Sequence, residues 1–321
     1  MKSIPQRETN PFPYSDSNKR YHTYDYYLRH TFGEKCAKIP LDGGFTCPNR
    51  DGTKGVGGCI YCSARGSGEF APAPCLPIAA QYEQSRELLR DKWGELKCIP
   101  YFQANTNTYA PVSRLKEMFE EAVALPDAVG LNVATRADCL PDEVLELFAA
   151  LSEKTVLTVE LGLQTVHDET AARINRGHTY EEFLSGYRRL RARAPRARVG
   201  LHLILGLIGE NDEMMVESAQ RVAELKPDEV KLHSLYVLEN TKMAEIYRNG
   251  GYKPLELEHY VELVTECVRR MPPETVIGRL TGDAPKNELL APLWTRNKRF
   301  VLNEIDKKFY QKNIWQGKGL I

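Results

Sequence analysis

Short apolar runs alternate with longer amphipathic segments along most of the chain. The apolar runs predict strands at residues 37–42, 96–103, 128–134, 155–163, 198–207 and 228–237. Apolar positions at helical spacing predict helices at 78–93, 111–125, 141–152, 167–175, 180–194 and 212–225. Strands that read as continuous apolar runs are typical of parallel sheets whose two faces are both covered. The pattern therefore predicts a series of βα units.

The number of predicted strands narrows the fold class to an α/β protein with an incomplete (βα)6 TIM-like barrel. Six strands are fewer than the eight of a closed barrel. A doubly wound open sheet is the alternative. The pattern changes after residue 237, where a helix at 255–271 and a strand at 274–280 are followed by a mixed basic segment. We predict an aromatic-rich N-terminal extension at 1–36, the partial barrel at 37–237, and a C-terminal extension packed on the barrel at 238–321.

Composition excludes several classes of function. Lys plus Arg and Asp plus Glu number 43 each, so the 321-residue chain has no global positive field that would mark a nucleic-acid binder. There is no run of about eighteen apolar residues, and the polar N-terminus lacks the apolar core of a signal peptide. We therefore expect a cytoplasmic protein without a membrane partner. In that compartment clustered cysteines more often bind metal than form disulfides.

Three cysteines in one glycine-rich loop are the strongest chemical signal. Eleven residues separate Cys47 from Cys59, and two residues separate Cys59 from Cys62. A structural zinc ion usually takes four ligands, and Cys36 or Cys75 could supply the fourth. Alternatively, a 4Fe–4S cluster held by three thiolates keeps one iron open to a further ligand.

Three features favour the iron–sulfur cluster. The thiols follow the first predicted strand, at the end where parallel α/β folds bind ligands. The aromatic Tyr61 precedes the last thiol and suits contact with a planar base. The loop from residue 42 to about residue 78 is longer than ordinary βα connections, which favours a functional role.

Six segments together resemble the YhcC/YtqA-like radical S-adenosylmethionine (SAM) family. They are KIPLDGGFTCPNRDGTKGVGGCIYC, YFQANTNTYAP, ELGLQTVHDETAARINRGH, HLILGLIGE, VKLHSLYVL and RLTGDAPKNELLAPLWTRNK. The resemblance runs over nearly the whole chain, and ELGLQT…NRGH also resembles the catalytic subunit of Elongator. The cysteine spacing departs from the three-then-two form commonest among radical SAM enzymes.

The resemblance implies the cofactors. Cys47, Cys59 and Cys62 would ligate a 4Fe–4S cluster, and SAM would bind the fourth iron. An external electron donor such as flavodoxin or ferredoxin would reduce the cluster, and cleavage of SAM would give a 5′-deoxyadenosyl radical. Cofactors of this kind carry the hard chemistry while the protein supplies position and excludes water.

The resemblance also implies SAM contacts, each with a plainer alternative. The cofactor-binding candidates are Tyr61, Gln103, Asn105, Asn107, Glu160, Gln164, Arg176, Ile204 and Gly206. Among them, Glu160 would contact the SAM ribose hydroxyls and Arg176 the SAM carboxylate. A buried carboxylate needs a partner, so the alternative for Glu160 is a salt bridge to Arg136 or Arg173. The polar groups of 103–107 would otherwise be turn or cap residues. His202 and His233 are expected as core histidines, with a position facing the cavity as the alternative for either. The Gly-Gly-Glu form that usually binds the SAM amino group is absent. No catalytic residue is identified.

Local charge and the family together suggest the substrate. Arginines crowd residues 188–198, and the tail interleaves basic and aromatic residues, which suits contact with RNA although a solvated helix face explains it as well. Elongator-type relatives act on the wobble uridine of transfer RNA, so the implied activity is modification of a C5 side chain of that base. No acetyl-coenzyme A binding domain is recognisable, so the complete Elongator-type reaction is not expected. The alternatives are a radical SAM enzyme for a small metabolite or peptide and a zinc-stabilised, non-catalytic RNA-binding protein.

Overall fold

Seven parallel strands form a curved sheet that closes half of a barrel. A computed structural model describes residues 10–320 of the chain, so the first nine residues of the expected N-terminal extension lie outside the described residues. The barrel strands are β1 (Cys36–Leu41), β2 (Lys97–Phe102), β3 (Gly130–Thr135), β4 (Val156–Gln164), β5 (Arg198–Leu205), β6 (Glu229–Ser234) and β8 (Val276–Arg279). A separate antiparallel pair consists of β7 (Val237–Leu238) and β9 (Leu289–Ala291).

The strand order confirms the incomplete TIM-like barrel. The sheet runs β1-β2-β3-β4-β5-β6-β8, with every pairing parallel. A doubly wound sheet would reverse its strand order at a switch point, and this sheet does not. Its seventh strand, β8, comes from the segment assigned to the C-terminal extension. Val230 pairs with Ile277, so this segment contributes directly to the barrel sheet.

Ten α-helices lie within the described residues, and most of them cover the outer face of the sheet. They are α1 (Tyr24–Phe32), α2 (Ile78–Trp93), α3 (Val112–Val123), α4 (Asp142–Ser152), α5 (Asp168–Arg173), α6 (Tyr180–Arg193), α7 (Asp212–Glu224), α8 (Lys242–Arg248), α9 (Leu257–Arg269) and α10 (Lys298–Gln311). None of the helices in the described part of the chain has the length and apolar character needed to span a membrane.

The main apolar core lies between the sheet and its helices, not inside the half-barrel. Phe102 of β2 contacts Phe119 of α3 with ring centroids 5.1 Å apart, and Phe119 in turn packs on Phe148 of α4. On the inner face, by contrast, the strands carry polar side chains, among them those of Lys38 and Glu160. The expectation of strands apolar on both faces is therefore wrong for the inner face, which belongs to a cavity.

Helix α1 was not predicted, and it lies beside both edges of the half-barrel. Thr23 caps it by accepting a hydrogen bond from the backbone of Tyr26 (3.1 Å). The helix contacts both edge strands, β1 and β8. The segment just before it is tied to β8, since Ile277 donates its backbone N–H to the carbonyl of His22 (2.7 Å). Helix α1 therefore packs beside the cavity on the side where a complete barrel would continue.

Candidate active site

The three cysteines of the glycine-rich loop converge on one cavity at the carboxyl ends of the barrel strands. The loop joins β1 to α2, and Cys47, Cys59 and Cys62 are free thiols of intermediate exposure. All three line a cavity of about 950 Å³. A tight turn joins the last two, in which Cys62 donates its backbone N–H to the carbonyl of Cys59 (3.0 Å).

The chemistry of these donors fits a cluster held by three thiolates. Burial raises the pKa of Cys59 to about 11 and also raises that of Cys62, although the guanidinium of Arg50 opposes the rise at Cys62. Positive charge from a bound metal centre would favour the thiolate form of these cysteines. Within residues 10–320, no three His, Cys, Asp or Glu side chains are grouped closely enough to hold a metal ion. Three cysteine donors on one cavity wall are the set that a 4Fe–4S cluster with one iron open to a further ligand would take.

The NRGH segment, residues 175–178, holds the cysteine loop in place through hydrogen bonds. The side-chain amide of Asn175 donates to the carbonyls of Gly58 (2.7 Å) and Val56 (3.1 Å). The backbone of Asn175 accepts from the side chain of Asn49, whose amide nitrogen also lies 3.9 Å from the sulfur of Cys59. Gly177 has φ +76°, and a Cβ there would lie 2.4 Å from Asn49 Oδ1. The glycine is therefore required by the close approach of the two segments.

Arg176, the candidate for binding the SAM carboxylate, is buried in this structure and donates hydrogen bonds to neighbouring backbone segments. It is 1% exposed. Its guanidinium donates to the backbone carbonyls of Leu163, Thr165 (2.6 Å) and His178 (2.9 Å). Although Arg176 touches the cavity wall, most of its N–H groups are already used. The geometry therefore gives it a part in joining the end of β4 to the NRGH segment.

Tyr61, Gln103 and Asn105 lie on the cavity wall around the cysteine loop. The side chain of Gln103 donates to the carbonyl of Ser67 (2.8 Å). Asn105 has φ +58° and donates its backbone N–H to the carbonyl of Gly66 (2.8 Å). These contacts attach the end of β2 to the loop and keep the three side chains beside the thiols.

Gln164 and Ile204 also line the cavity, but Asn107 and Gly206 do not. Asn107 is fully buried, and its amide donates to the carbonyls of Phe102 and Ala134 (2.8 Å). The carbonyl of Gly206 accepts from the hydroxyl of Tyr252 (2.8 Å), and a Cβ at Gly206 would lie 3.1 Å from Leu255 Cδ1. Both residues therefore support the wall, as turn-forming residues would.

Glu160 is the centre of a buried polar network on the inner face of the sheet. The expected salt bridge to Arg136 or Arg173 is wrong, since Arg136 pairs with Asp138 (2.9 Å) and Arg173 donates to a backbone carbonyl. Five groups contact the Glu160 carboxylate: Lys38 (2.8 Å), Tyr101 (2.6 Å), Asn132 (2.9 Å), His202 (3.1 Å) and Lys231 (2.5 Å). With both oxygens engaged, no acceptor position is left for the SAM ribose that the resemblance implied.

The charges of this network sum to zero. Burial raises the pKa of the Glu160 carboxyl, but the ammonium groups of Lys231 and Lys38 outweigh it and hold that pKa well below its usual range. Burial lowers the pKa of Lys231 to about 8 despite Glu160 beside it. Glu229 provides the second negative charge, with an oxygen 3.5 Å from Lys38 Nζ. Two lysines thus balance two carboxylates on the cavity wall.

The sequence contained a signal for this network that the prediction missed. Lys38 and Lys231 are lysines within otherwise largely apolar predicted strands, and both line the cavity. His202 and His233 were expected as core histidines, but both line the cavity, with ring centroids 5.5 Å apart. Cys75 is exposed and does not line the cavity.

The arginine-rich segment 188–198 is charge-balanced in the structure. Five of its arginines pair with acidic residues: Arg188 with Glu181, Arg189 with Asp142, Arg191 with Asp228, Arg193 with Glu146, and Arg196 with Glu153. The sixth, Arg198, stacks over the ring of Tyr27 at 3.9 Å. These contacts are those of a solvated helix face, so the segment offers little unpaired charge to RNA phosphates.

The tail is largely paired as well. Its ion pairs are Lys298 with Asp283, Lys307 with Glu304, and Lys308 and Lys312 with Glu262. Trp294 donates its indole N–H to the carbonyl of Leu255 (2.9 Å) and packs on Tyr260, so it belongs to the fold. Phe300 and Tyr310 remain exposed on α10.

Comparison with known proteins agrees with this geometry. The sequence profile described as the Radical SAM superfamily matches residues 47–222, and the Radical_SAM C-terminal domain profile matches residues 227–311. The uncharacterized protein YtqA of Bacillus subtilis is 46% identical over 311 residues, covering 97% of this chain and 96% of that protein. These matches confirm the family resemblance predicted from the sequence motifs.

More distant relatives carry names that refer to transfer RNA. The tRNA uridine(34) acetyltransferase of Methanocaldococcus jannaschii is 28% identical over 233 residues, which cover 71% of this chain and 40% of that protein. The solved structure of Elp3 from Methanocaldococcus infernus superposes with a TM-score of 0.62 at 18% identity, covering 88% of this chain and 64% of that one. At this identity the likeness establishes the fold.

Proposed function

The chain belongs to the radical SAM superfamily, and we propose that it modifies the C5 side chain of the wobble uridine of transfer RNA. Enzymes of this family use a 4Fe–4S cluster and SAM. When bound, the reduced cluster supplies the electron that cleaves the sulfonium of SAM and so provides a 5′-deoxyadenosyl radical to the substrate. Radical SAM enzymes also need a reductant, which we propose to be a flavodoxin or a ferredoxin.

The observation that carries the proposal is the convergence of three thiols on one large polar cavity. Cys47, Cys59 and Cys62 would hold the cluster at the mouth of the half-barrel, and the cavity extends from them to the Glu160 network. Its volume of about 950 Å³ is at the upper end of ordinary ligand pockets. Such a space suits SAM together with a second group such as a base splayed out of an RNA loop.

The names of the distant relatives support transfer RNA over other substrates. The Methanocaldococcus jannaschii relative is named for uridine 34 of transfer RNA, and its similarity covers most of this chain. The paired arginines of segment 188–198 do not support a transfer RNA substrate, because acidic residues balance their charges. We therefore base the proposal on the cavity and the relatives, and not on a basic patch.

The residues around the cavity divide into two proposed roles. Tyr61, Gln103, Asn105, Gln164 and Ile204 line the cavity and are our proposed SAM contacts. The remaining candidates, Asn107, Glu160, Arg176 and Gly206, are engaged with protein groups and are proposed to shape the wall. Fixing the wall in this way positions the reacting groups and keeps water out.

The proposal is tested with anaerobically reconstituted enzyme, SAM, a reductant and bulk transfer RNA. We expect 5′-deoxyadenosine to increase when transfer RNA is added and one uridine derivative to change mass in the digested RNA. The Cys75→Ala variant should behave like the wild type, because Cys75 is exposed and does not line the cavity. Cleavage of SAM with unaltered RNA would favour a small metabolite or peptide as the substrate.

A further inference from the structure

We propose that Arg279, Thr281 and His233 form a subsite for an oxyanion of the substrate, a carboxylate or a phosphate. The subsite lies on the β6–β8 side of the cavity. The inference rests on the proposed use of this cavity as the substrate site. It adds a chemical requirement that neither the cluster nor SAM explains.

Arg279 carries a positive charge that the protein does not compensate. It lies at the end of β8, in register with Lys231 of β6, and lines the cavity with a half-buried side chain. Among the residues of the described chain, its guanidinium has no hydrogen-bond or ion-pair partner. Asp283, which also lines the cavity, pairs with Lys298 (3.2 Å). The lysines of the Glu160 network are balanced within that network. The carboxylate of Glu69 also lines the cavity, but it accepts a hydrogen bond from the Ser63 hydroxyl and has no ion-pair contact with Arg279.

Glu229 is the carboxylate that could have compensated Arg279, and it does not. It lies deeper in the wall, where a Cβ on Gly278 would be 2.1 Å from Glu229 Oε1. That oxygen faces Lys38 at 3.5 Å. No contact of 4 Å or less joins Glu229 to Arg279. The guanidinium is therefore available to a ligand in the cavity.

Thr281 and His233 provide further polar atoms without partners. Thr281 is fully buried, and its hydroxyl contacts no hydrogen-bonding group of the described residues. It stands two residues beyond Arg279, and both residues line the cavity. The Nε2 atom of His233 is likewise buried and unpartnered, and both residues line the cavity. Leaving buried polar atoms unpaired costs free energy, so a bound ligand is the natural source of their partners.

A glycine brings the two sides of the subsite together. The backbone N–H of Gly282 donates to the hydroxyl of Ser234 (3.0 Å) at the end of β6. A Cβ at Gly282 would lie 2.7 Å from the ring of Tyr236 and 2.9 Å from that hydroxyl. Segment 279–282 therefore packs directly against the end of β6, which places Arg279 and Thr281 on the same side of the cavity as His233.

The donor set identifies the class of ligand. A guanidinium presents a planar fork of N–H groups that matches two oxygens of a carboxylate or a phosphate. A hydroxyl and a neutral imidazole can each donate one more hydrogen bond. A neutral ligand would leave the charge of Arg279 uncompensated in a partly buried site. For a nucleotide substrate, the oxyanion would be either the backbone phosphate or a carboxylate on the modified base.

The test measures binding to cluster-loaded enzyme in the presence of SAM by anaerobic titration calorimetry. The probes are uridine 5′-monophosphate, 5-carboxymethyluridine and uridine. We expect at least one oxyanion probe to bind about tenfold or more tightly than uridine, and the tighter one identifies the source of the oxyanion. Arg279→Gln should remove most of this preference, Thr281→Val should weaken it by about threefold, and Arg279→Lys should restore part of it.

The matched control is Arg299→Gln, which removes the same charge from an exposed position on α10. It should leave probe binding unchanged. Iron content and melting temperature show that each variant is folded and loaded. Equal affinity for the three probes, no detectable binding of either oxyanion probe, or an Arg279→Gln variant with unchanged preference would overturn the subsite. Failure of the proposed function is distinguishable, because it would appear as unaltered transfer RNA while the preference for an oxyanion persists.

Discussion

The side-chain amide of Asn175 donates a hydrogen bond of 2.7 Å to the carbonyl of Gly58, the residue that directly precedes Cys59. Asn175 belongs to the NRGH segment between α5 and α6, and Gly58 belongs to the loop between β1 and α2. The bond therefore joins two parts of the chain that are more than one hundred residues apart. It attaches the thiol-bearing loop to the NRGH segment, and Arg176 of that segment donates hydrogen bonds to carbonyls at the end of β4.

Asn175→Ala should loosen the cysteine loop. The substitution removes two hydrogen bonds to loop carbonyls and places Ala at φ +54°, a conformation that Asn tolerates better than Ala. We expect a loss of about 2 kcal/mol in the free energy of unfolding and lower cluster retention after reconstitution. The matched control is Asn240→Ala, which has φ +59° but an exposed side chain without such bonds. Equal iron retention by the two variants would contradict the assigned role of Asn175.

Glu160→Gln should strongly destabilise the fold. The change leaves the buried ammonium groups of Lys38 and Lys231 without their shared counter-charge. Breaking a buried pair in this way costs about 3–5 kcal/mol, measured as the change in the free energy of unfolding in denaturant. Glu146→Gln, which removes an exposed pair with Arg193, should cost about 1 kcal/mol or less. Similar costs for the two substitutions would show that the network does not stabilise the inner face.

His178 should make the protein less stable in acid. Burial, reinforced by the charge of Arg176, lowers the pKa of His178 to about 3. Between pH 6.5 and 3 the unfolded chain therefore binds a proton that the folded state excludes. Its contribution to stability is complete above pH 6.5 and is lost progressively as the pH falls towards 3.

The measurement for His178 is the free energy of unfolding of the wild type and His178→Leu at several pH values. The wild type should lose up to about 1.4 kcal/mol per pH unit more than the variant between pH 6 and 4. The difference between the two proteins isolates His178 from the other buried histidines. Parallel pH profiles would refute the assignment.

Neutralising the exposed arginines of segment 188–198 should have little effect on transfer RNA. Arg188, Arg193 and Arg196 already pair with acidic residues, and exposed charges are screened within about 8 Å at physiological salt. We expect the variant with Arg188→Gln, Arg193→Gln and Arg196→Gln to bind transfer RNA with a dissociation constant within about threefold of the wild type. The salt dependence of binding should be nearly unchanged. A loss of two orders of magnitude would restore this segment as the RNA contact.

The sequence was sufficient to predict the half-barrel because its strands are short apolar runs between regular amphipathic helices. It was insufficient for α1, and it predicted β8 as a strand at 274–280 but not as part of the barrel sheet. The tyrosine-rich segment that forms α1 lacks a clear apolar stripe and is defined by its Thr23 cap and its packing on β1 and β8. β8 is only four residues long, and its pairing with β6 depends on tertiary contacts.

The cysteine loop could be predicted from the sequence, whereas the Glu160 network could not, and the reason is physical. Cysteine spacing within one loop is local information, so the convergence of Cys47, Cys59 and Cys62 could be inferred from the sequence. The partners of Glu160 come from five other strands, and local spacing cannot reveal which lysines contact it. A buried structural guanidinium and a ligand-binding one look identical in sequence, and the carbonyls around Arg176 are the reason that we propose a structural role for it.

The central claim is that three thiols and no fourth protein ligand hold a catalytic iron–sulfur cluster in this cavity. Its most direct test is the iron and sulfide content of anaerobically reconstituted protein, combined with 5′-deoxyadenosine formation from SAM and a reductant. We predict about four irons and four sulfides per chain and SAM cleavage in the wild type and in Cys75→Ala. Cys47→Ala, Cys59→Ala and Cys62→Ala should each lose both cluster and cleavage. Stoichiometric zinc in place of iron, or a well-formed cluster without SAM cleavage, would contradict the account.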